Sequence, residues 1–366
     1  MIMMMIDRLY MPLILNTVML VLILLLSLFS PSLSSIMDGT GIYTFNISHT
    51  TTQAKHMLTL KKHDYNNNPK VLAIMILFTY GLTDKTNLKQ LHCNIHLLQL
   101  YMRPYTPIHI YIWLGKYNIG DNLPYWMINK YDNLFIMPID KEIWKISNYQ
   151  LLRPSSTWVH RQYSWMDYYI MGRWRLLFQP YFIYHMNYHY FLQLDMDTFL
   201  TKKIEFNILD MMISQSLYFT TTNKIHGVDP LEVLNGLAEF TRFWIVTKQY
   251  NNIKGDLYET TNPSSIHGLY TDINNKYGWN RHIYGAYFML FDIHQFWFNS
   301  DAQDYLFSIL RAGYDIEQRW LEQGVENMMM LLFIKKENKR VFTTEEIQLS
   351  QGKLEMVANC TSMKVW

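Results

Sequence analysis

Stretches of continuous, helical and absent apolar period succeed one another along this 366-residue chain, and their order predicts its elements. Met11 to Phe29 is apolar almost throughout, broken mildly by Pro12, Asn16, Thr17 and Ser27. These nineteen residues come close to the roughly 20 that cross a bilayer as a helix. Residues 30 to 70 then turn polar, rich in Ser, Thr, Asn and His with no sustained period, which reads as a loosely ordered stem. Val71 to Tyr80 is a continuous apolar run of strand length, the kind buried on both faces of a parallel sheet. From Lys85 to Met102, Leu88, Leu91, Ile95, Leu98 and Leu100 recur near helical spacing, and Ile108 to Leu114 reads as a second strand. Strand, helix, strand at this spacing is a βαβ unit.

The pattern continues with a short strand from Leu134 to Ile139, an aromatic helix from about Ser164 to Phe178, and an aromatic strand that closes on Leu194. Leu231 to Tyr250, Gln295 to Arg311 and Trp320 to Ile334 have helical spacing, whereas Tyr287 to Ile293 is strand-like. There is no internal repeat. From about Lys70 onward the order fits one α/β domain, with ligands at the carboxyl ends of its strands.

Composition adds location more than chemistry. The chain is 49% hydrophobic and 16% aromatic, ample for a core, and its 32 basic and 30 acidic residues form no long like-charge block, so nothing argues for a nucleic-acid surface. Arg8 precedes the first apolar run and Asp38 is the next charge, which favours a cytosolic amino terminus and a lumenal body. The expected organisation is a tail over residues 1–10, a signal-anchor helix over 11–29, a lumenal stem over 30–70 and a catalytic domain over 71–366. A cleavable signal peptide is the rival, because Pro31 to Ser35 offers small residues for cleavage. Two sequons, Asn46-Ile47-Ser48 and Asn359-Cys360-Thr361, agree with secretory entry. Cys93 and Cys360 are the only cysteines, either one disulfide in an oxidising lumen or two buried thiols, and too few for a zinc site.

The chemistry concentrates at Asp195-Met196-Asp197. Two carboxylates at the end of an apolar strand are costly to bury unless something positive lies between them. In a strand, residues two apart point to the same side, so Asp195 and Asp197 would converge on one ion while Leu194 and Met196 face the core. Hard oxygen ligands suit Mg²⁺ or Mn²⁺, with further coordination left for phosphate oxygens. Chance alone also yields Asp-x-Asp triplets that mark only a solvated strand end.

Several blocks in order over about residues 71 to 334 resemble the fungal α-1,2-mannosyltransferases, glycosyltransferase family 15. Pro138-Ile139-Asp140-Lys141-Glu142-Ile143-Trp144 is similar to the segment this family carries after its third strand, and Tyr168-Tyr169-Ile170-Met171-Gly172-Arg173-Trp174 to its Tyr-Arg-x-Met-Cys-Arg block. The spacing from Met171 to Asp195 also matches. Asp195-Met196-Asp197 stands where the family has Glu-Pro-Asp, Phe291-Asp292-Ile293 where it has Phe-Glu-Ile, and Gln318-Arg319-Trp320-Leu321-Glu322 resembles its Glu-Arg-Trp-Gly-Asp. Glu326 falls at the family's metal-binding His, and Tyr169 replaces an Arg that is a candidate phosphate-binding cation.

The resemblance implies a GT-A-type nucleotide-diphospho-sugar transferase fold, a mixed and mostly parallel sheet flanked by helices behind the membrane anchor. It implies a Golgi type II membrane protein moving mannose from GDP-mannose to a glycan acceptor on protein or lipid, with retention and a divalent metal, Mn²⁺ or Mg²⁺. Asp195, Asp197 and Glu326 would hold the metal, and Asp195, Arg173, Tyr168, Arg319 and Glu322 would bind the donor. Asp292 would lie beneath the anomeric carbon. Each role has a structural rival: Asp292 as the cap of the following helix, Arg173 or Arg175 paired with internal carboxylates, Arg319 and Glu322 likewise, and Glu326 as an ordinary helix residue. Tyr163, Trp165, Tyr168 and Trp174 either stack on ligand rings or fill the core. Departures from the family leave room for another nucleotide sugar as donor, or for a lumenal carbohydrate-binding or scaffold protein that has lost catalysis. A metal-dependent hydrolase is a weaker third reading, since such enzymes usually set their Asp pair after the first strand.

Overall fold

The structure is a computed structural model that describes residues 70–115, 122–139, 166–222, 227–228, 234–272, 276–285, 287–318, 320–352 and Cys360. The apolar segment 11–29, the stem up to residue 69, the sequon at Asn46, Asn359, Arg319 and residues 140–165 lie outside the described residues. No described helix is long and apolar enough to cross a membrane.

The first strand shows why the chain builds two layers. In β1 (Leu72–Phe78) every residue is buried. Ala73, Met75 and Leu77 join one core layer, whereas Leu72, Ile74, Ile76 and Phe78 join the other, so the continuous apolar run feeds both faces of a sheet. Asp84 then caps α1 (Lys85–Tyr101) by accepting from the Asn87 N–H at 3.1 Å, and the helix buries Leu88, Leu91, Ile95 and Leu98 in the second layer. β2 (Ile108–Leu114) pairs in parallel with β1, and β3 (Leu134–Pro138) in parallel with β2.

The next segment is one long helical element in three parts: α2 (Met166–Arg173), a π-helical turn over Trp174–Phe178, and α3 (Gln179–His185). β4 (Tyr190–Leu194) returns beside β1 in parallel. β5 (Thr198–Leu200), β6 (Phe219–Thr221), α4 (Leu237–Thr247), β7 (Phe288–Asp292), α5 (Ser300–Ala312), α6 (Glu322–Phe333), β8 (Lys339–Val341) and β9 (Leu349–Gln351) complete the frame. The main sheet has seven strands in the order β8-β6-β7-β4-β1-β2-β3. All its pairings are parallel except those of β7, which runs against both β4 and β6. The expected mixed, mostly parallel sheet flanked by helices is therefore present.

Helix α6 is the central support. Its residues from Gly324 to Phe333 are buried, as expected of a helix apolar around nearly its whole circumference, and Glu322, Glu326 and Asn327 are buried with them. Cys93 on α1 and Cys360 form a disulfide with a Cα–Cα distance of 5.5 Å, and both are fully buried.

Candidate active site

The carboxyl ends of β1 and β4 lie side by side, and the Asp pair follows β4 directly. Asp195 to Asp197 form a tight turn rather than a strand, with the Thr198 N–H donating to the Asp195 carbonyl at 3.1 Å. The expected strand alternation is thus corrected, because the strand ends at Leu194 and the turn intervenes before β5. Asn94, buried on α1, holds the turn from below: its Nδ2 donates to the carbonyls of Asp195 at 3.0 Å and Met196 at 3.2 Å. From the other side the Gly352 N–H, just past β9, donates to the Asp197 carbonyl at 3.0 Å. β9 reaches this position by pairing antiparallel with β5.

Positive charge is indeed supplied to the pair, by Arg175. Its Nη2 donates to Asp195 Oδ1 at 2.5 Å and its Nη1 to Glu322 Oε1 at 3.0 Å, with the side chain 6% exposed. Burial works against the guanidinium charge, but Asp195 and Glu322 outweigh it and hold Arg175 more firmly charged than in water. Arg175 lies on the π turn, where Trp174, Arg175 and Leu176 are consecutive and all buried. Sequence reasoning treated Arg175 only as a candidate internal ion-pair partner; the extra residue in the turn carries no sequence signal that we recognise.

The carboxyl of Asp197 is raised above its ordinary value by burial and then by the Asp195 charge. Hard oxygens in a partly exposed turn fit Mn²⁺ or Mg²⁺ with phosphate or water completing the coordination. Glu326, expected as the third ligand, is enclosed where the Asp pair is not. It is 1% exposed on α6, receives only a long 3.5 Å contact from Gln193 Nε2, and is pushed well above the carboxylate range by burial and by Glu322. The partly exposed Asp195 and Asp197 differ from it in being open to a ligand from solvent. Among the described residues no three His, Cys, Asp or Glu side chains form a metal-binding group.

The remaining candidates divide sharply. Glu322 is in the site, 4% exposed at the start of α6, but as the partner of Arg175. Arg173 makes a bidentate pair with the buried Asp315, Nε to Oδ2 at 2.6 Å and Nη2 to Oδ1 at 2.8 Å, so its fork serves the fold and not a diphosphate. Trp174 packs on Trp113 with ring centroids 5.2 Å apart, which makes it a core residue. The Tyr168 side chain and Arg319 lie outside the described residues.

Asp292 is corrected by topology. β7 runs against β4, with Phe288 opposite Leu194 and Asp292 opposite Tyr190. Asp292 therefore lies at the opposite end of the sheet from Asp195, about five residues or roughly 16 Å along the strand at 3.3 Å per residue. There its Oδ1 accepts from the His294 and Gln295 N–H groups, each at 2.9 Å, capping the π turn Ile293–Trp297. It does not lie beside the Asp pair.

No family model and no curated protein matches the chain. Solved structures do. Core-mannan synthase A (CmsA/Ktr4) of Aspergillus fumigatus in its Mn/GDP form superposes with a TM-score of 0.62 at 16% identity, covering 80% of this chain and 78% of the other. The mannosyltransferase Ktr4p of S. cerevisiae in complex with GDP gives 0.60 at 14% identity, covering 80% and 73%. At such identities the likeness speaks for the fold, and this chain has the mixed α/β fold of those glycosyltransferase structures.

Proposed function

We propose that this protein is a metal-assisted glycosyltransferase that moves mannose from GDP-mannose to a glycan acceptor with retention of configuration. The observation that carries the reading is the turn Asp195-Met196-Asp197, held at the carboxyl end of a parallel strand beside the buried Arg175. Its support from outside the chain is that a structure of the same fold holds Mn and GDP. Asp195 and Asp197 would hold the cation, which supplies charge stabilisation to the departing diphosphate when bound. Asn94 and Gly352 fix the backbone of that turn, and Arg175 fixes the Asp195 carboxylate. With Asp292 remote, we assign no covalent intermediate to it. The buried disulfide, the sequons and the apolar segment 11–29 support a Golgi lumenal enzyme held by a signal anchor.

Release of GDP from GDP-mannose should require Mn²⁺ or Mg²⁺ and disappear in Asp197→Ala. A panel of nucleotide sugars read by thermal shift tests the donor, because a ligand that binds only the native state raises its melting temperature. A shift with another donor and none with GDP-mannose would remove the mannose assignment. The second reading, a carbohydrate-binding homologue without catalysis, is favoured by the buried Glu326 and the displaced Asp292. It predicts no turnover of any donor and no Mn²⁺-dependent binding of GDP.

A further inference from the structure

We propose that Arg175 is the positioning residue of this site, an internal cation that clamps the end of β4 to the start of α6 and thereby selects the Asp195 oxygen offered to a cation. The inference rests on the transferase reading above and concerns residues that reading leaves unassigned. Two nitrogens of one guanidinium reach two carboxylates from different elements, Asp195 after β4 and Glu322 on α6. Asp195 Oδ1 is taken by Arg175, which leaves Oδ2 for a ligand. The Asp195 side chain is 26% exposed while those of Arg175 and Glu322 are 6% and 5% exposed, so the clamp lies beneath the turn and does not touch substrate.

The surroundings confirm that the guanidinium is enclosed by acid on more than one side. Glu326 lies one helical turn beyond Glu322 on the same helix, and among the described residues Glu322 Oε2 and Glu326 Oε1 are buried with no hydrogen-bond partner. A single internal cation thus organises acidic groups from two elements. A fork is required for this. Lysine keeps the charge, but as a single point it cannot reach both carboxylates in the planar geometry a guanidinium provides.

The test is the Mn²⁺ concentration needed for GDP binding, measured by calorimetry on the full chain, with donor KM and kcat alongside. Arg175→Lys should retain the circular dichroism and cooperative melting of the wild type. It should need about 10-fold or more Mn²⁺, the size of loss seen when a partner that orients a metal ligand is removed, with KM for the donor moving further than kcat. Glu322→Ala opens the clamp from the other side and should act in the same direction. Glu322→Gln, whose amide oxygen still accepts from Arg175, should shift less. Folded Arg175→Lys and Glu322→Ala proteins that bind Mn²⁺ and GDP at wild-type concentrations overturn the proposal; if Arg175→Lys does not fold, Glu322→Ala decides alone. A wild-type protein that binds no GDP at any Mn²⁺ concentration overturns the transferase reading and this role with it, whereas variants that match a binding wild type overturn the role only.

Discussion

Asp292 and Asp195 are both acidic residues at strand ends, yet the structure gives them unrelated work. Asp292 spends its carboxylate on two backbone N–H groups at the start of a helical turn, which Asn performs equally well. Asp292→Asn should therefore keep donor turnover, and Asp292→Ala should lose about 0.5–2 kcal/mol of stability in urea denaturation; a variant Asn enzyme that folds but has lost turnover would restore the catalytic assignment. The pH dependence has a definite sign. Burial raises the Asp292 carboxyl above its ordinary value despite the hydrogen bonds from Gln295 and His294. The folded state then binds the proton more tightly than the unfolded state, so the stabilising effect of that proton is lost as pH rises from the ordinary Asp value of about 4 through the folded value. The stability of wild type relative to Asp292→Asn should accordingly fall across that window and level off above it. At this scale, the acidic character of Asp195 and Asp197 was legible because residue type and strand end coincide. The site of Asp292 was not, because an apolar run does not state whether its strand runs with or against its neighbours.

Elements were read well where apolar spacing alone decides them. α1, β2 and β3 fall within a residue or two of the expected Lys85–Met102, Ile108–Leu114 and Leu134–Ile139. Differences arise where side chains intervene. The helix expected from Leu231 is interrupted: Leu234 is helical, Gly236 lies in the left-handed region at φ 83°, a position where a Cβ would lie 3.2 Å from the Trp320 ring, and α4 begins at Leu237, while residues 231–233 lie outside the described residues. The helix expected from Gln295 starts at Ser300, because the Asp292-capped π turn comes first and Asn299 then caps α5 through the Asp301 N–H. The helix expected to end at Phe178 continues through the π turn to His185. The contact of α2 with the residues before α6 makes its own prediction. A Cβ at Gly172 would meet Leu321 Cδ2 at 2.6 Å, Leu321 Cβ at 2.9 Å and Glu322 Oε2 at 2.9 Å. Gly172→Ala should push that segment away, costing about 1–3 kcal/mol as overpacking does and weakening Mn²⁺-dependent GDP binding through Glu322. Unchanged stability and binding in this variant would show that the segment yields freely.

At the scale of the whole molecule, the disulfide ties the end of the chain to α1 across 267 residues of sequence. Its Cys93 is the neighbour of Asn94, which holds the Asp195 and Met196 carbonyls. Replacing both cysteines by Ser, or reducing them, should cost about 2–5 kcal/mol. Denaturation midpoints with and without reductant check this, and reductant should also weaken GDP binding if Asn94 moves with the bond. Sequence alone left the two cysteines as a disulfide or two thiols, since separation along a chain carries no distance.

The order of apolar periods determined the α/β class, the βαβ start and the strand that delivers the Asp pair, because those depend on local patterns of burial that each segment carries by itself. The tertiary structure decided which acidic groups meet. An antiparallel β7 removed Asp292 from the site, packing enclosed Glu326, and buried ion pairs brought in Arg175. Those outcomes depend on strand direction, on enclosure from several elements at once and on which charged side chains meet across elements, and none of the three is a property of any single segment.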